Sequence, residues 1–80
     1  MRFEFVLPQA GMGMSEGTVT HWHHEVGASI DSGEALVDIE TEKIELEIEA
    51  PVAGTLAEIL IEAGATVDVG TVLAYIEIGD

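Results

Sequence analysis

Residues 53–78 of this chain read AGTLAEILIEAGATVDVGTVLAYIEI, and residues 16–41 read EGTVTHWHHEVGASIDSGEALVDIET. Laid together without a gap, at the offset of 37 that separates Gly17 from Gly54, the two stretches also superpose Thr18 on Thr55, Glu25 on Glu62, Gly27 on Gly64, Asp31 on Asp68, Gly33 on Gly70 and Leu36 on Leu73. The alignment settles what neither copy settles alone. By composition LAEILIE at 56–62 suits a helix as well as a strand, but its counterpart VTHWHHE at 19–25 is a poor helix former. Both stretches are therefore read as extended. Two copies are too few for a solenoid, which needs three or more stacked units. The expectation is a pseudo-symmetric sandwich in which neither half buries its apolar face alone.

Working outward, the rest of the chain keeps the same period of two. Apolar and polar residues alternate over 2–7, 18–24, 34–40, 44–49, 55–61 and 72–78, with shorter extended pieces at 28–30 and 65–67, and Gly17, Gly27, Gly33, Gly54, Gly64 and Gly70 punctuate them. Short strands at regular spacing with turn residues between them predict an all-β sandwich or barrel, occupying residues 1–80 as a single domain. The charge is lopsided: 16 acids against Arg2 and Lys43, a formal net of −14. Phosphate neutralisation on nucleic acid needs clustered Lys and Arg, and an anionic membrane surface would repel this chain. The 48% hydrophobic content is too high for an acidic disordered tail. There is no cysteine to build a disulfide frame or thiolate site. Nothing reads as a signal peptide, and no apolar run reaches transmembrane length.

The segment that joins the two copies is the informative one. Val37 and Ile39 are expected inward on one strand, with Ile44, Leu46 and Ile48 inward on the next; Asp38, Glu40, Glu45, Glu47 and Glu49 then face out. Residues 41–43 (TEK) remain for a tight hairpin turn, which puts Lys43, the one lysine of the chain, at an exposed tip. Its acidic neighbours Glu40, Glu42 and Glu45 favour a charged ammonium. A Schiff-base lysine needs burial or a cationic neighbour instead. Lys43 is thus presented but not self-activated, and its modification requires another enzyme to bring an activated acyl group.

Other chemistry-bearing residues give less. His21 and His23 share one strand face while His24 joins Trp22 on the other. Two same-face histidines with an acid could take zinc or copper weakly, but spacing fixes no third ligand and the counterpart EILI at 58–61 offers none, so they are read as a solvated face. Gly11-Met12-Gly13 lacks the third glycine and the helix of a dinucleotide fingerprint; QAGMGMSEG at 9–17 reads as a flexible loop in which Met12 and Met14 cover apolar surface. The run Glu45, Glu47, Glu49 opposite Asp38 and Glu40 reads as a solvated acidic face rather than paired catalytic carboxylates or a calcium site. Ser15, Ser29 and Ser32 belong to no readable triad, so no catalytic constellation emerges.

DIETEKI at 38–44 followed by EAPVAG at 49–54 resembles the lipoyl-attachment hairpin of 2-oxo-acid dehydrogenase complexes, a branch of the biotinyl/lipoyl-attachment superfamily. MGMSEGTVTHW at 12–22, EVGASI at 25–30 and GEALVDIE at 33–40 resemble the first half of the same domain. The one departure is Glu42 where aspartate is usual. The resemblance implies a flattened barrel or sandwich of two four-stranded antiparallel sheets with pseudo-twofold symmetry, and lipoate in amide linkage on Lys43. It implies that Glu40, Glu42 and Gly27 help a lipoyl ligase or transferase recognise its target, and that the loop 9–16 lies near the lysine and is read by the first enzyme. The implied role is that of a non-catalytic carrier within an E2 acyltransferase polypeptide. Its swinging arm takes acyl groups and electrons from a thiamine-diphosphate E1, gives the acyl group to coenzyme A at the E2 core, and is reoxidised by the flavoenzyme dihydrolipoamide dehydrogenase, E3. An isolated monomer, in a bacterial or archaeal cytoplasm or a mitochondrial matrix, goes with that role. The M-G-M-S-E-G opening leans toward pyruvate- or acetoin-type systems. The alternatives are a biotinyl carrier, whose acceptors usually read M-K-M, and an unmodified structural domain of the same fold.

Overall fold

The computed structural model describes residues 1–9 and 13–79. The period-two pattern is realised as eight strands: β1 (Arg2–Val6), β2 (Glu16–Trp22), β3 (Ser29–Ile30), β4 (Ala35–Glu40), β5 (Glu45–Glu49), β6 (Gly54–Ile59), β7 (Thr66–Asp68) and β8 (Val72–Glu77). They form two four-stranded antiparallel sheets, ordered β1-β8-β6-β3 and β5-β4-β2-β7. The sheets remain two layers and do not close into a barrel. The ambiguous stretch 56–62 begins as strand β6, as its repeat partner requires.

The internal repeat governs the hydrogen-bond register itself. On β2–β4, Thr18 pairs with Glu40 and Val19 with Ile39; on β6–β8, Thr55 pairs with Glu77 and Leu56 with Ile76. Each ladder then slips at the same place, between Val19 and His21 in one and between Leu56 and Glu58 in the other. The outer strands β5 and β1 match as well, each with a bulge opposite its partner. The short strands exchange between halves, β3 pairing with β6 and β7 with β2, so each copy completes the other's sheet. This interlocking explains why a single copy is not expected to hold together.

The inner faces meet in a core of Phe5, Leu7, Val19, Ile30, Leu36, Val37, Ile39, Ala50, Leu56, Leu73, Ala74 and Ile76. Strict alternation fails at one place in each copy. Leu36 and Val37 are both buried, as are Leu73 and Ala74, because the bulge on that strand turns two successive side chains to the same side. Ile44, expected inward, is 49% exposed. The β5 ladder starts only at Glu45, so Ile44 belongs to the turn and its side chain is not held by the pleat. Gly54 and Gly17 sit where neighbouring strands of one sheet crowd together: a Cβ on Gly54 would run into the Glu77 carbonyl oxygen on β8, and one on Gly17 would lie 2.6 Å from Ile39 Cγ2 on β4.

The pseudo-twofold also relates the two places where β4 meets β5 and where β8 meets β1. Thr41 N–H donates to the Ile44 carbonyl at 2.7 Å, closing the β4–β5 hairpin. Ile78 N–H donates to the Met1 carbonyl at the same 2.7 Å, holding the two ends of the chain side by side.

Candidate functional site

The β4–β5 hairpin is tight because Thr41 supplies part of its bonding from a side chain. Thr41 Oγ1 accepts from Ile44 N–H at 3.1 Å and from Lys43 N–H at 3.4 Å, and donates to the Ile44 carbonyl at 3.1 Å. A threonine hydroxyl thus takes over the return bond that a backbone carbonyl would make in an ordinary two-residue turn. Glu42 and Lys43 are left as the two residues at the tip, both exposed. Among the described residues the Lys43 ammonium forms no ion pair; the pairs present involve the amino terminus, Arg2, His23 and His24. A solvated, unpaired amine on a fixed turn is a good acceptor for an acyl group delivered in activated form.

Beside the tip runs an open groove of about 640 Å³. The hairpin, with Glu40, Thr41, Glu42 and Ile44, forms one wall, and the stretch from Gly13 to Thr18 forms the other. Thr18 and Thr66 share a 2.6 Å hydroxyl–hydroxyl bond on the groove, tying β2 to β7 at its floor. Met14 packs against the core from the loop side, as expected of it from the sequence.

Of the residues singled out in the sequence, Lys43, Glu40 and Glu42 come together on this groove. Gly27 lies elsewhere and does not line it. Its backbone explains the glycine: φ is +96°, and its N–H donates to the Leu56 carbonyl at 2.7 Å. Of the loop expected at 9–17, Gly13 to Ser15 line the groove beside the hairpin, whereas Glu16 and Gly17 already belong to β2, because they pair with Asp68 and Val67. The reading of Gly11 and Met12 lies outside the described residues. Thr41, Thr18 and Thr66 were not singled out in the sequence; for Thr41 the signal was present, a hydroxyl residue opening a turn.

Asp38, Glu47, His21 and His23 gather on the outer face of the β5-β4-β2-β7 sheet. His21 and His23 do share a face, their rings 4.8 Å apart edge to face. His23 Nε2 lies 2.9 Å from Asp38 Oδ1, and His24 Nε2 lies 3.0 Å from Glu34 Oε1. Trp22 points inward, edge-on to Phe5 at 6.5 Å, with its Nε1–H donating to the Ile61 carbonyl at 3.0 Å.

The family model for biotin and lipoyl attachment, described as a biotin-requiring enzyme, matches residues 3–76. The chain is 43% identical over 76 residues, 95% of its own length, to the dihydrolipoyllysine-residue acetyltransferase component of the acetoin cleaving system of Bacillus subtilis. It is 45% identical over 70 residues, 88% of its length, to the corresponding component of the pyruvate dehydrogenase complex of Corynebacterium glutamicum. It spans 19% and 10% of those two relatives. Among solved structures, the lipoyl domain of the 2-oxoglutarate dehydrogenase complex from Azotobacter vinelandii superposes with a TM-score of 0.78 at 34% identity, over 96% of this chain and 98% of that one.

Proposed function

The chain belongs to the biotin/lipoyl-attachment family, as a lipoyl domain homologous to those of 2-oxo-acid dehydrogenase E2 components, and from that premise we propose that Lys43 is its lipoate acceptor. The observation that carries the proposal is positional. The one lysine of the chain stands at the tip of a hairpin braced by Thr41, within the DIETEKI stretch, with no ion pair among the described residues. The donor set fits the group: an exposed primary amine can form the amide, and the open groove beside it leaves room for a long flexible arm. When bound, lipoate supplies a dithiolane that accepts an acyl group together with electrons.

The protein's own contribution is tethering and recognition. Amide formation removes the positive charge of Lys43 and takes the formal net from −14 to −15, leaving Glu40, Glu42 and Glu45 as an uninterrupted acidic surround. A tethered arm meets successive active sites at high effective concentration without dissociating. The acidic hairpin sets which partners approach quickly, since surface charge acts mainly on association rate. The partners this reading supplies are a thiamine-diphosphate E1, the E2 acyltransferase core, dihydrolipoamide dehydrogenase and a lipoyl ligase. Glu40, Glu42 and the loop wall of the groove are the surfaces by which they would tell this domain from others.

Co-expression of the 80-residue chain with a lipoyl ligase and lipoate should raise its intact mass by one lipoyl group. Lys43→Arg should show no increase while its circular dichroism and thermal midpoint stay unchanged. Biotin on Lys43 after incubation with a biotin ligase, or an unchanged mass with a ligase competent on a control domain, overturns the reading.

A further inference from the structure

The outer face of the β5-β4-β2-β7 sheet gathers groups that spacing alone could not connect. His23 follows β2, Asp38 is central in β4 and Glu47 is central in β5. Register brings them into a row, because Asp38 pairs with Glu47 on one side and with His21 on the other. One imidazole nitrogen and one oxygen from each carboxylate lie within 4.8 Å of one another, and His23 Nε2 and Asp38 Oδ1 are already at 2.9 Å. The ring of His21 stands 4.8 Å from that of His23.

We propose that His23, Asp38 and Glu47 form a binding site for a first-row transition dication of the zinc class, with His21 or water completing the coordination. Tetrahedral zinc at about 2.0–2.2 Å from nitrogen and oxygen donors sets ligand atoms roughly 3.3–3.5 Å apart. The His23–Asp38 separation needs to open slightly and the Glu47 carboxylate to close in. Both motions are available, since Glu47 is exposed and the His23 and Asp38 side chains are only about two-thirds covered, at 30% and 35% exposure. One imidazole with two carboxylates selects zinc, copper or nickel over calcium and magnesium, which prefer oxygen-only surroundings. The high negative charge of the chain raises the local concentration of any dication, and the imidazole confers the selectivity that acidity alone lacks.

The fold supplies an internal control. On the other sheet the positions equivalent to His23, Asp38 and Glu47 are Leu60, Tyr75 and Glu4, as the matched registers show. The same backbone therefore exists twice in one molecule, once with ligating side chains and once without. This site is independent of Lys43 and of acyl carriage.

The test is a titration of the isotope-labelled 80-residue chain with Zn²⁺, followed by amide and imidazole resonances and by calorimetry. One Zn²⁺ per chain should bind saturably. The resonances of His21, His23, Asp38 and Glu47 should shift, while those of Glu4, Leu60 and Tyr75 stay put, and a tenfold excess of Ca²⁺ should not displace the metal. Losing a group that merely orients a metal ligand typically costs about 10–100-fold in metal affinity, so His23→Gln and Asp38→Asn, which alter ligands themselves, should each weaken binding by at least about tenfold. His24→Gln, which alters the separate pair with Glu34, should leave it unchanged. Equal displacement by Ca²⁺, shifts spread over both sheets, or an equal loss in His24→Gln would reduce the effect to counter-ion condensation on an acidic surface and overturn the proposal. The wild-type shift map decides it even if a variant proves unstable.

Discussion

Glu77, at the end of β8, faces Arg2 across the first sheet; Glu40, its equivalent at the end of β4, faces Glu45 across the second. Around Glu77 the positive groups collect. The amino terminus approaches it at 3.2 Å, Arg2 at 3.6 Å, and the Arg2 guanidinium also reaches Glu58 at 3.7 Å and lies 5.2 Å from the Tyr75 ring centroid. Among the described residues Glu40 makes no ion pair, faces Glu45 across the ladder and shares the hairpin with Glu42 and the Lys43 ammonium, itself without an ion pair. Two regions with one backbone register have been given opposite electrostatics. One is neutralised and knits the chain ends together; the other keeps like charges opposed across a ladder, which is mildly destabilising. The lesson is that the architecture is a property of the repeat, whereas the chemistry lies in where the repeat is broken.

The largest effect is expected where the copies are most alike in sequence but not in surroundings. Gly54→Ala would drive a methyl group against the backbone carbonyl of Glu77, which β8 pairing holds in place, whereas Gly17→Ala meets the Cγ2 branch of Ile39, a side-chain atom that a change in χ1 can displace. Urea unfolding should show a loss of about 3 kcal/mol or more for Gly54→Ala and about 1–2 kcal/mol for Gly17→Ala, in line with overpacking costs in well-packed cores. Equal losses would mean that the difference between a backbone and a side-chain obstacle on the neighbouring strand is not what separates these glycines.

A smaller change comes from the turn. Thr41→Val keeps the shape and removes the hydroxyl that binds Ile44 and Lys43. Because the freed amides return to water, the stability cost should be about 0.5–1 kcal/mol. The rate of lipoyl attachment should fall by more than that cost suggests, and Thr41→Ser should restore it. An unaltered rate in Thr41→Val would show that the turn's bracing is structural only.

Smallest of all is the exchange of charge between the two regions. Glu45→Arg should raise stability, and Arg2→Glu lower it, by about 0.5 kcal/mol each at low salt, both fading as ionic strength rises. Thermal midpoints measured at two salt concentrations check both signs at once. Opposite signs would mean that the pairing across the ladder is not what distinguishes the two regions.

Much of the scaffold was legible because it is local or repeated. Alternation located the strands, and the alignment of residues 56–62 on 19–25 resolved the one helix-like segment. Lys43 was legible as a tip residue for the same reason, since the strands on either side fix the turn between them. What escaped depends on register. The bulges that bury Leu36 beside Val37 and Leu73 beside Ala74 leave no mark on an alternating pattern, because either residue alone would satisfy it. Ile44 misled because an apolar residue at the right parity is no guarantee that the ladder has begun. The row of His23, Asp38 and Glu47 draws on three strand segments, and only the slip between Val19 and His21 brings His21 rather than Thr20 opposite Asp38.

The bond from Ile78 to Met1 repeats, on the other side of the pseudo-twofold, the bond from Thr41 to Ile44. In topological terms the backbone runs as two arcs of four strands each, and these two bonds close equivalent joints between them. Lys43 stands inside the joint between β4 and β5, where a paired strand on each side fixes the direction in which an attached arm sets out.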